Sequence, residues 1–248
     1  MSVRTLTANE ARLLLRDPGN AFFALAFPAV LLVLVGLLLP GMREPIQVPG
    51  LTHLRTIDVY VPVVLCTAVA TVAVSTFPTV FGTYRERGVL RRLAATPLPA
   101  SRLLVAELAV SLGALVVAVG LALGLAGVVL GIAAPAQPAV AVLAFALTVA
   151  HMGALGCVLA AVVRSAANAN AFGMMLYFPL LFVAGVWLPG PLMPATLREV
   201  ASFLPLGAGA QALQEAWFGS GLPARQLVVM VVWTAVLGPL AARLFRWT

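Results

Sequence analysis

The sequence predicts an all-α integral membrane protein with six transmembrane helices. Three observations carry this. The 248-residue chain is 62% hydrophobic and only 9% charged, where a soluble domain carries about 25% charged residues. Its mean hydropathy is +1.07. Runs free of charge fill most of its length, at 20 to 42, 59 to 84, 108 to 163, 165 to 197 and 226 to 242. A spanning helix needs about 20 apolar residues in a row, and a charge in hydrocarbon costs several kcal/mol, so runs of this length are rare outside membranes. A water-soluble fold is excluded.

The third run is too long for one helix. Ala134-Pro135-Ala136-Gln137-Pro138 lies near its middle, and two prolines with a polar residue between them break a helix and mark a turn. The expected spans are therefore 20–40, 59–82, 108–132, 139–163, 168–188 and 226–244, within one domain covering 1–248. The apolar stretch from Asn20 to Leu39 ends in Leu-Pro-Gly without a small-x-small site. It also exceeds a signal-peptide core of roughly 7–15 residues, so it is expected to stay as the first helix.

Six spans put both termini on one side. With that side in the cytoplasm, Arg4, Arg12, Arg16, Arg85, Arg87, Arg91, Arg92, Arg102, Arg164, Arg243 and Arg246 lie inside, and Arg43, Arg55, Arg198 and Arg225 outside. Eleven against four obeys the positive-inside rule. The acidic residues divide equally, so the net charge of +7 is cytoplasmic, and it sets topology rather than attracting nucleic acid. Every basic residue is arginine, the composition expected of a GC-rich bacterial genome. Cys66 and Cys157 both fall in apolar runs, too few for a disulfide framework or a metal site, and are expected to be packing residues.

Three segments are more than spans. In residues 1–19, Thr7-Ala8-Asn9-Glu10 is a capping-box pattern ahead of Ala11-Arg12-Leu13-Leu14-Leu15-Arg16, and Asp17-Pro18-Gly19 stops it. This predicts a short amphipathic helix along the inner membrane surface, or simply a lead-in whose arginines set orientation. From Arg85 to Arg102, Val89, Leu90 and Leu93 share one helical face while Arg87 and Arg91 stack on another, until Thr96-Pro97-Leu98-Pro99 ends the helix. Such a segment is either a topogenic loop or a docking surface, and its amphipathicity favours docking. Residues 185–225 are too apolar for a solvated loop, with Gly185, Trp187, Pro189, Pro194 and Pro205 punctuating them. Irregular backbone at membrane depth needs protein or a water-lined cavity around it, so short re-entrant helices are expected there.

The order of these parts resembles, over the whole chain, the ABC-2 class of ATP-binding-cassette transporter permeases, including the drug and antibiotic resistance exporters of the daunorubicin type. The most specific pieces are Glu86-Arg87-Gly88-Val89-Leu90-Arg91-Arg92-Leu93-Ala94-Ala95-Thr96-Pro97-Leu98, and Phe182-Val183-Ala184-Gly185-Val186-Trp187-Leu188-Pro189 with Met193-Pro194 and Leu204-Pro205-Leu206. The resemblance implies that residues 1–19, with Glu10, Arg12 and Arg16, are an interfacial elbow helix. It implies that residues 85–98, with Arg85, Glu86, Arg87, Gly88, Val89, Leu90, Arg91, Arg92, Leu93, Thr96 and Pro97, are a coupling helix docking into an ATPase subunit. Residues 189–225, with Gly185, Trp187, Pro189, Pro194 and Pro205 around them, would be an extracellular gate. Glu107 departs from the family pattern, in which lysine is frequent at the start of span three.

The resemblance further implies a permease subunit that moves an amphiphilic drug, lipid or glycan across a bacterial plasma membrane. Its partners would be two ABC ATPase subunits, a second permease copy or sibling, and membrane lipids, with no nucleic acid. The chain contains no lysine and no Gly-x-x-x-x-Gly-Lys-Ser/Thr loop, so a phosphate loop of that type is impossible. No cofactor is expected in this chain, and ATP and magnesium belong to the partner ATPase. Two other classes compete. An intramembrane enzyme of protease type would rest on His151, without a Gly-x-Ser-x-Gly or His-Glu-x-x-His motif beside it. An ion-coupled secondary transporter would want a charge near the midplane of a span, and none of the six has one. His151, Asn168 and Asn170 are the candidate pathway residues, each also able to serve as an interhelical tie.

Overall fold

The structure, a computed structural model, describes residues 3–16, 18–47, 52–89 and 101–244. Among these residues the chain is helical, without a named strand. Helix α1 is Val3–Arg16, and α2 runs through Pro18–Ala21, Phe22–Ala26 and Phe27–Leu38. Helix α3 is Thr56–Glu86, and α4 is Ser101–Leu125 continued by Ala126–Leu130. Then come α5 Pro138–Val162, α6 Ala166–Ala184, α7 Ala195–Ala201, α8 Pro205–Phe218 and α9 Ala224–Leu244. Five of these, α3, α4, α5, α6 and α9, are long and apolar enough to cross a membrane, and Ala24–Leu38 of α2 is a shorter apolar helix. The whole run of α2 rises about 30 Å at 1.5 Å per residue, the thickness of a hydrocarbon core.

Two local expectations are corrected. Helix α1 begins at Val3, so Thr7 and Glu10 lie inside it and do not mark its start. It stops at Arg16, and α2 begins at Pro18, because proline, unable to continue one helix, is well suited to the first turn of the next. The chain after span two is not one helix from Arg85: α3 runs through Glu86 and breaks at Gly88, whose φ is +64°. A left-handed residue ends an α-helix and turns the chain away from its axis, and glycine occupies that region without a Cβ penalty.

Helix α3 is the inner member of the bundle. Its most apolar window is 83% buried, against 17% to 33% for the other four long spans. Helices α2, α4, α5, α6 and α8 pack around it. In lipid the hydrophobic effect does not drive one apolar helix onto another, so close backbone approach must do so. That approach is visible at three glycines. A Cβ on Gly156 of α5 would stand 2.2 Å from the Ala73 carbonyl oxygen, one on Gly173 of α6 2.4 Å from that of Val74, and one on Gly82 2.6 Å from the Ser165 backbone.

The first two contacts fall on an irregular turn. Residues Thr71–Thr76 of α3 form a π-turn in which the Phe77 amide reaches back to the Val72 carbonyl, and Pro78 follows with no amide to give. The turn is short of donors, and a π-turn is a common cause of an offset in a helix. Thr67, Thr71, Thr79 and Thr83 each donate a hydroxyl to the carbonyl four residues back, at 2.7 to 3.0 Å, which restores donors along the weakened stretch. The Thr71 and Tyr177 hydroxyls, 2.8 Å apart, tie α3 to α6.

Gly156→Ala is expected to lower the midpoint of thermal unfolding in detergent, by about 1–3 kcal/mol of overpacking. Gly153→Ala, one turn away with nothing within 4 Å of its Cβ position, should stay within about 0.5 kcal/mol of wild type.

Candidate functional site

Alternation of the helices gathers the end of α1, the start of α2, the end of α3, the start of α4, the end of α5, the start of α6 and the end of α9 at one end of the bundle. We call this the basic end, because Arg12, Arg16, Arg85, Arg87, Arg164 and Arg243 all belong to it. Arg12, Arg16 and Arg87 are exposed, as is Glu86, while Gly88 and Val89 are partly exposed. Glu10 lies in α1. Leu90, Arg91, Arg92, Leu93, Thr96 and Pro97 lie outside the described residues.

Arg85 does not point with the others. Its Nη1 donates to the carbonyls of Ala160 and, at 2.7 Å, Val163. These belong to the last turn of α5, where carbonyls lack helical partners and the helix dipole favours a cation. Arg55 does the same at the opposite end. It donates to the Leu130 and Gly131 carbonyls at the end of α4, at 2.8 and 3.3 Å, and pairs with Asp58 at 2.7 Å. The hydrogen-bonded Asp58 carboxylate raises the Arg55 pKa above its ordinary value, against partial burial. Helix α3 thus ends in an arginine clasp on a neighbour at each end. Gln137 plays a similar part for α8, donating to the Gly219 and Gly221 carbonyls at 3.0 and 3.1 Å.

The predicted outer segment is built around α8. Gly185, with φ +93°, caps α6, and Trp187 beyond it is 55% exposed. Pro189 is buried before a single turn at Gly190–Leu192, and Pro194 and Pro205 sit at the starts of α7 and α8. Helix α8 packs on α3, α5, α6 and α9, with Leu206, Ala208, Ala210, Ala212, Leu213, Ala216 and Trp217 all buried. At about 21 Å it is too short to cross a bilayer. Outside it, Arg225 forms a bidentate pair with Glu199 at 2.7 and 3.1 Å.

His151 has 0% exposure. Its ring nitrogens stand 2.7 Å from the Leu147 carbonyl and 2.9 Å from that of Pro205, so the ring bridges α5 to the start of α8 with both nitrogens on backbone. Asn168 and Asn170 are exposed in the first turns of α6. The structure does not bring these three together. Glu107, singled out in the sequence only as a departure from the family pattern, is 5% exposed. It lines a cavity of about 340 Å³ between α1, α2, α3 and α4 with Thr76, Thr79, Thr83, Arg87 and Ser111. The available signal was an acid immediately before the long uncharged run that begins at residue 108. No group of three or more histidine, cysteine or acidic side chains able to hold a metal ion occurs among the described residues.

A bundle of apolar helices long enough to span a membrane, with a buried central helix, a basic end and a half-length inner helix, defines a multi-pass membrane protein. The chain belongs to the ABC-2 type transporter family, whose model matches residues 1–218, and is accordingly a permease subunit of an ABC transporter. A comparison with curated proteins gives no match. The family match ends at the last residue of α8, yet α9 packs closely on α5 and α8 and is part of the same bundle.

Arg85→Ala is expected to cost about 1.5–3 kcal/mol in thermal unfolding, the worth of charged hydrogen bonds. Arg85→Lys should recover only part of it, because an ammonium lacks the guanidinium fork.

Proposed function

We propose that this permease belongs to an ATP-driven exporter moving an amphiphilic drug, lipid or glycan across a bacterial plasma membrane, with both termini in the cytoplasm. Orientation rests on the arginine bias, eleven inside against four outside. Export and substrate range rest on the resemblance to resistance exporters. Two copies of the bundle, or this chain and a sibling, would enclose the path, and two ATPase subunits would bind and hydrolyse ATP with magnesium beneath them.

The observation that carries the mechanism is that α3, the most buried span, leads through Gly88 directly into the basic segment. In this proposal the basic segment 85–98 is the coupling element. Arg87, Arg91 and Arg92 steer docking, and Val89, Leu90 and Leu93 fill an apolar groove of the ATPase. A push on that segment would reach the central helix through the turn at Gly88. The Arg85 clasp and the glycine contacts would then pass it to α5 and α6. Residues 1–19 act as an interfacial elbow, and α7 and α8 as the outer gate.

Co-purification from native membranes, with the ATPase encoded nearest to this chain, tests the reading. Wild type should bring down the ATPase, and a Leu90→Asp, Leu93→Asp double variant should lose at least about 90% of it, an apolar contact of this kind being worth upwards of 1.4 kcal/mol. Retention of the ATPase by a folded double variant would move the docking surface elsewhere, and absence of any ATPase from the wild-type preparation would overturn the exporter assignment.

A further inference from the structure

Helix α8 is fastened along its length to one neighbour. At its inner end, Nε2 of His151 on α5 stands 2.9 Å from the Pro205 carbonyl. Midway, the two helices approach so closely that a Cβ on Gly209 would lie 2.6 Å from Thr148 Oγ1 and 3.3 Å from Thr148 Cβ. At its outer end the turn leading into α5 takes over. The Ala136 and Gln137 amides donate to the Trp217 and Ala216 carbonyls at 3.2 and 2.9 Å. Trp217 Nε1 donates to the Ala133 carbonyl at 3.2 Å, and the Gln137 side chain holds the Gly219 and Gly221 carbonyls. The last carbonyls of α8, which no helical amide can reach, are thus met from the start of α5.

Helices α3 and α6 touch α8 in another manner. Both pack on it, but among the described residues no hydrogen bond joins either of them to it. Apolar contact is non-directional and made of many small terms, so it tolerates sliding, whereas a hydrogen bond weakens steeply once its angle or distance is spoiled. Helix α8 is therefore bonded to α5 and only packed against α3 and α6. The ties between α5 and α3 lie at the other end of α5. Gly156 closes over the Ala73 carbonyl, and Arg85 reaches Ala160 and Val163. Helix α5 rises about 37 Å. The central helix grips it toward the basic end, and it grips α8 from His151 outward.

We propose that α5 is the lever joining the two ends of the permease, and that His151 and Gln137 are the positioning residues that make α8 its passenger. A displacement of the basic end of α3 tilts α5. Helix α8 follows α5 as one body, sliding over α3 and α6, and has no swing of its own. The inference rests on the outer-gate role proposed above only for its use in transport; the attachment of α8 to α5 belongs to this chain alone.

Amide hydrogen exchange, followed by mass spectrometry on the full chain in nanodiscs, tests the attachment. Wild-type residues 205–218 should be protected as strongly as 138–151. A Gln137→Leu, His151→Phe double variant should exchange at 205–218 at least about tenfold faster, the scale of one or two lost hydrogen bonds, with 166–184 unchanged. In the complex with its ATPase, a non-hydrolysable ATP analogue should alter exchange at both 138–151 and 205–218. In the double variant the response at 205–218 should vanish while that at 138–151 and ATP hydrolysis persist, an uncoupling that a merely structural role would not produce.

A crosslink supplies the converse. In a Cys66→Ala, Cys157→Ala background, Thr148→Cys with Gly209→Cys brings two Cβ atoms close to the roughly 3.5–4.5 Å of a disulfide. Oxidation should leave ATP turnover of the complex within about twofold of the reduced form, since a lever and its passenger keep one spacing. A reversible loss of about tenfold or more on oxidation, or a surviving nucleotide response at 205–218 in a folded double variant, would overturn the proposal. If the double variant does not fold, the disulfide decides. Recovery of no ATPase removes the exporter reading, and the attachment is then judged on the permease alone, where wild-type 205–218 exchanging about tenfold faster than 138–151 would overturn it.

Discussion

Backbone carbonyls that cannot reach water must find donors inside the protein, and in this molecule that requirement converges on one helix. Helix α3 is the most buried span, and it carries a π-turn followed by Pro78, which removes an amide where the ladder is already irregular. Threonine hydroxyls along α3 supply hydrogens to its own carbonyls. Glycines on α5 and α6 close over the Ala73 and Val74 carbonyls, where a larger residue would hold the helices apart. Arginines at its two ends reach out to the unsatisfied carbonyls of α4 and α5. The central helix is therefore irregular and yet the most deeply buried, since surrounding protein can meet needs that lipid cannot.

This arrangement gives the bundle two differently bonded parts. Helices α3, α5, α6, α8 and α9 are joined by close contacts and by the His151 bridge. Helices α1, α2 and α4 form a second group, fixed to the first chiefly at the end where Arg55 clasps α4. Toward the basic end the two groups part, and the cleft with Glu107 lies between them. The short helix α8, buried among the first group, occupies at the opposite end the position that a seventh span would otherwise take.

Much of this was legible in the sequence. The spans were, because hydrocarbon demands about 20 uncharged residues in a row, and the Pro135–Pro138 turn separated α4 from α5 where expected. The short helices within residues 185–225 were too, since the prolines and glycines there fit neither a solvated loop nor a full span. Helix limits near charges were not. Arg85 and Glu86 looked like the start of a new basic helix, whereas α3 extends through them because Arg85 finds carbonyls on α5. The Thr7 and Glu10 spacing suggested a helix start that falls inside α1, as a four-residue pattern cannot tell whether a helix is already under way.

By itself the sequence determined that this protein lives in a membrane, where its apolar segments lie, where the chain turns between them, and which segments hold the arginines. All of these depend on stretches of contiguous residues and their transfer into hydrocarbon. Only the tertiary structure decided that α3 is central, that His151 bonds the backbone of a segment 54 residues away, that Arg55 and Arg85 serve as caps, and that Glu107 faces a cavity. Burial and hydrogen-bond partners in lipid depend on which helix face meets which neighbour, and six nearly uniform apolar spans carry almost no periodic signal to say so. Small residues and single polar atoms, rather than hydropathy, make that choice.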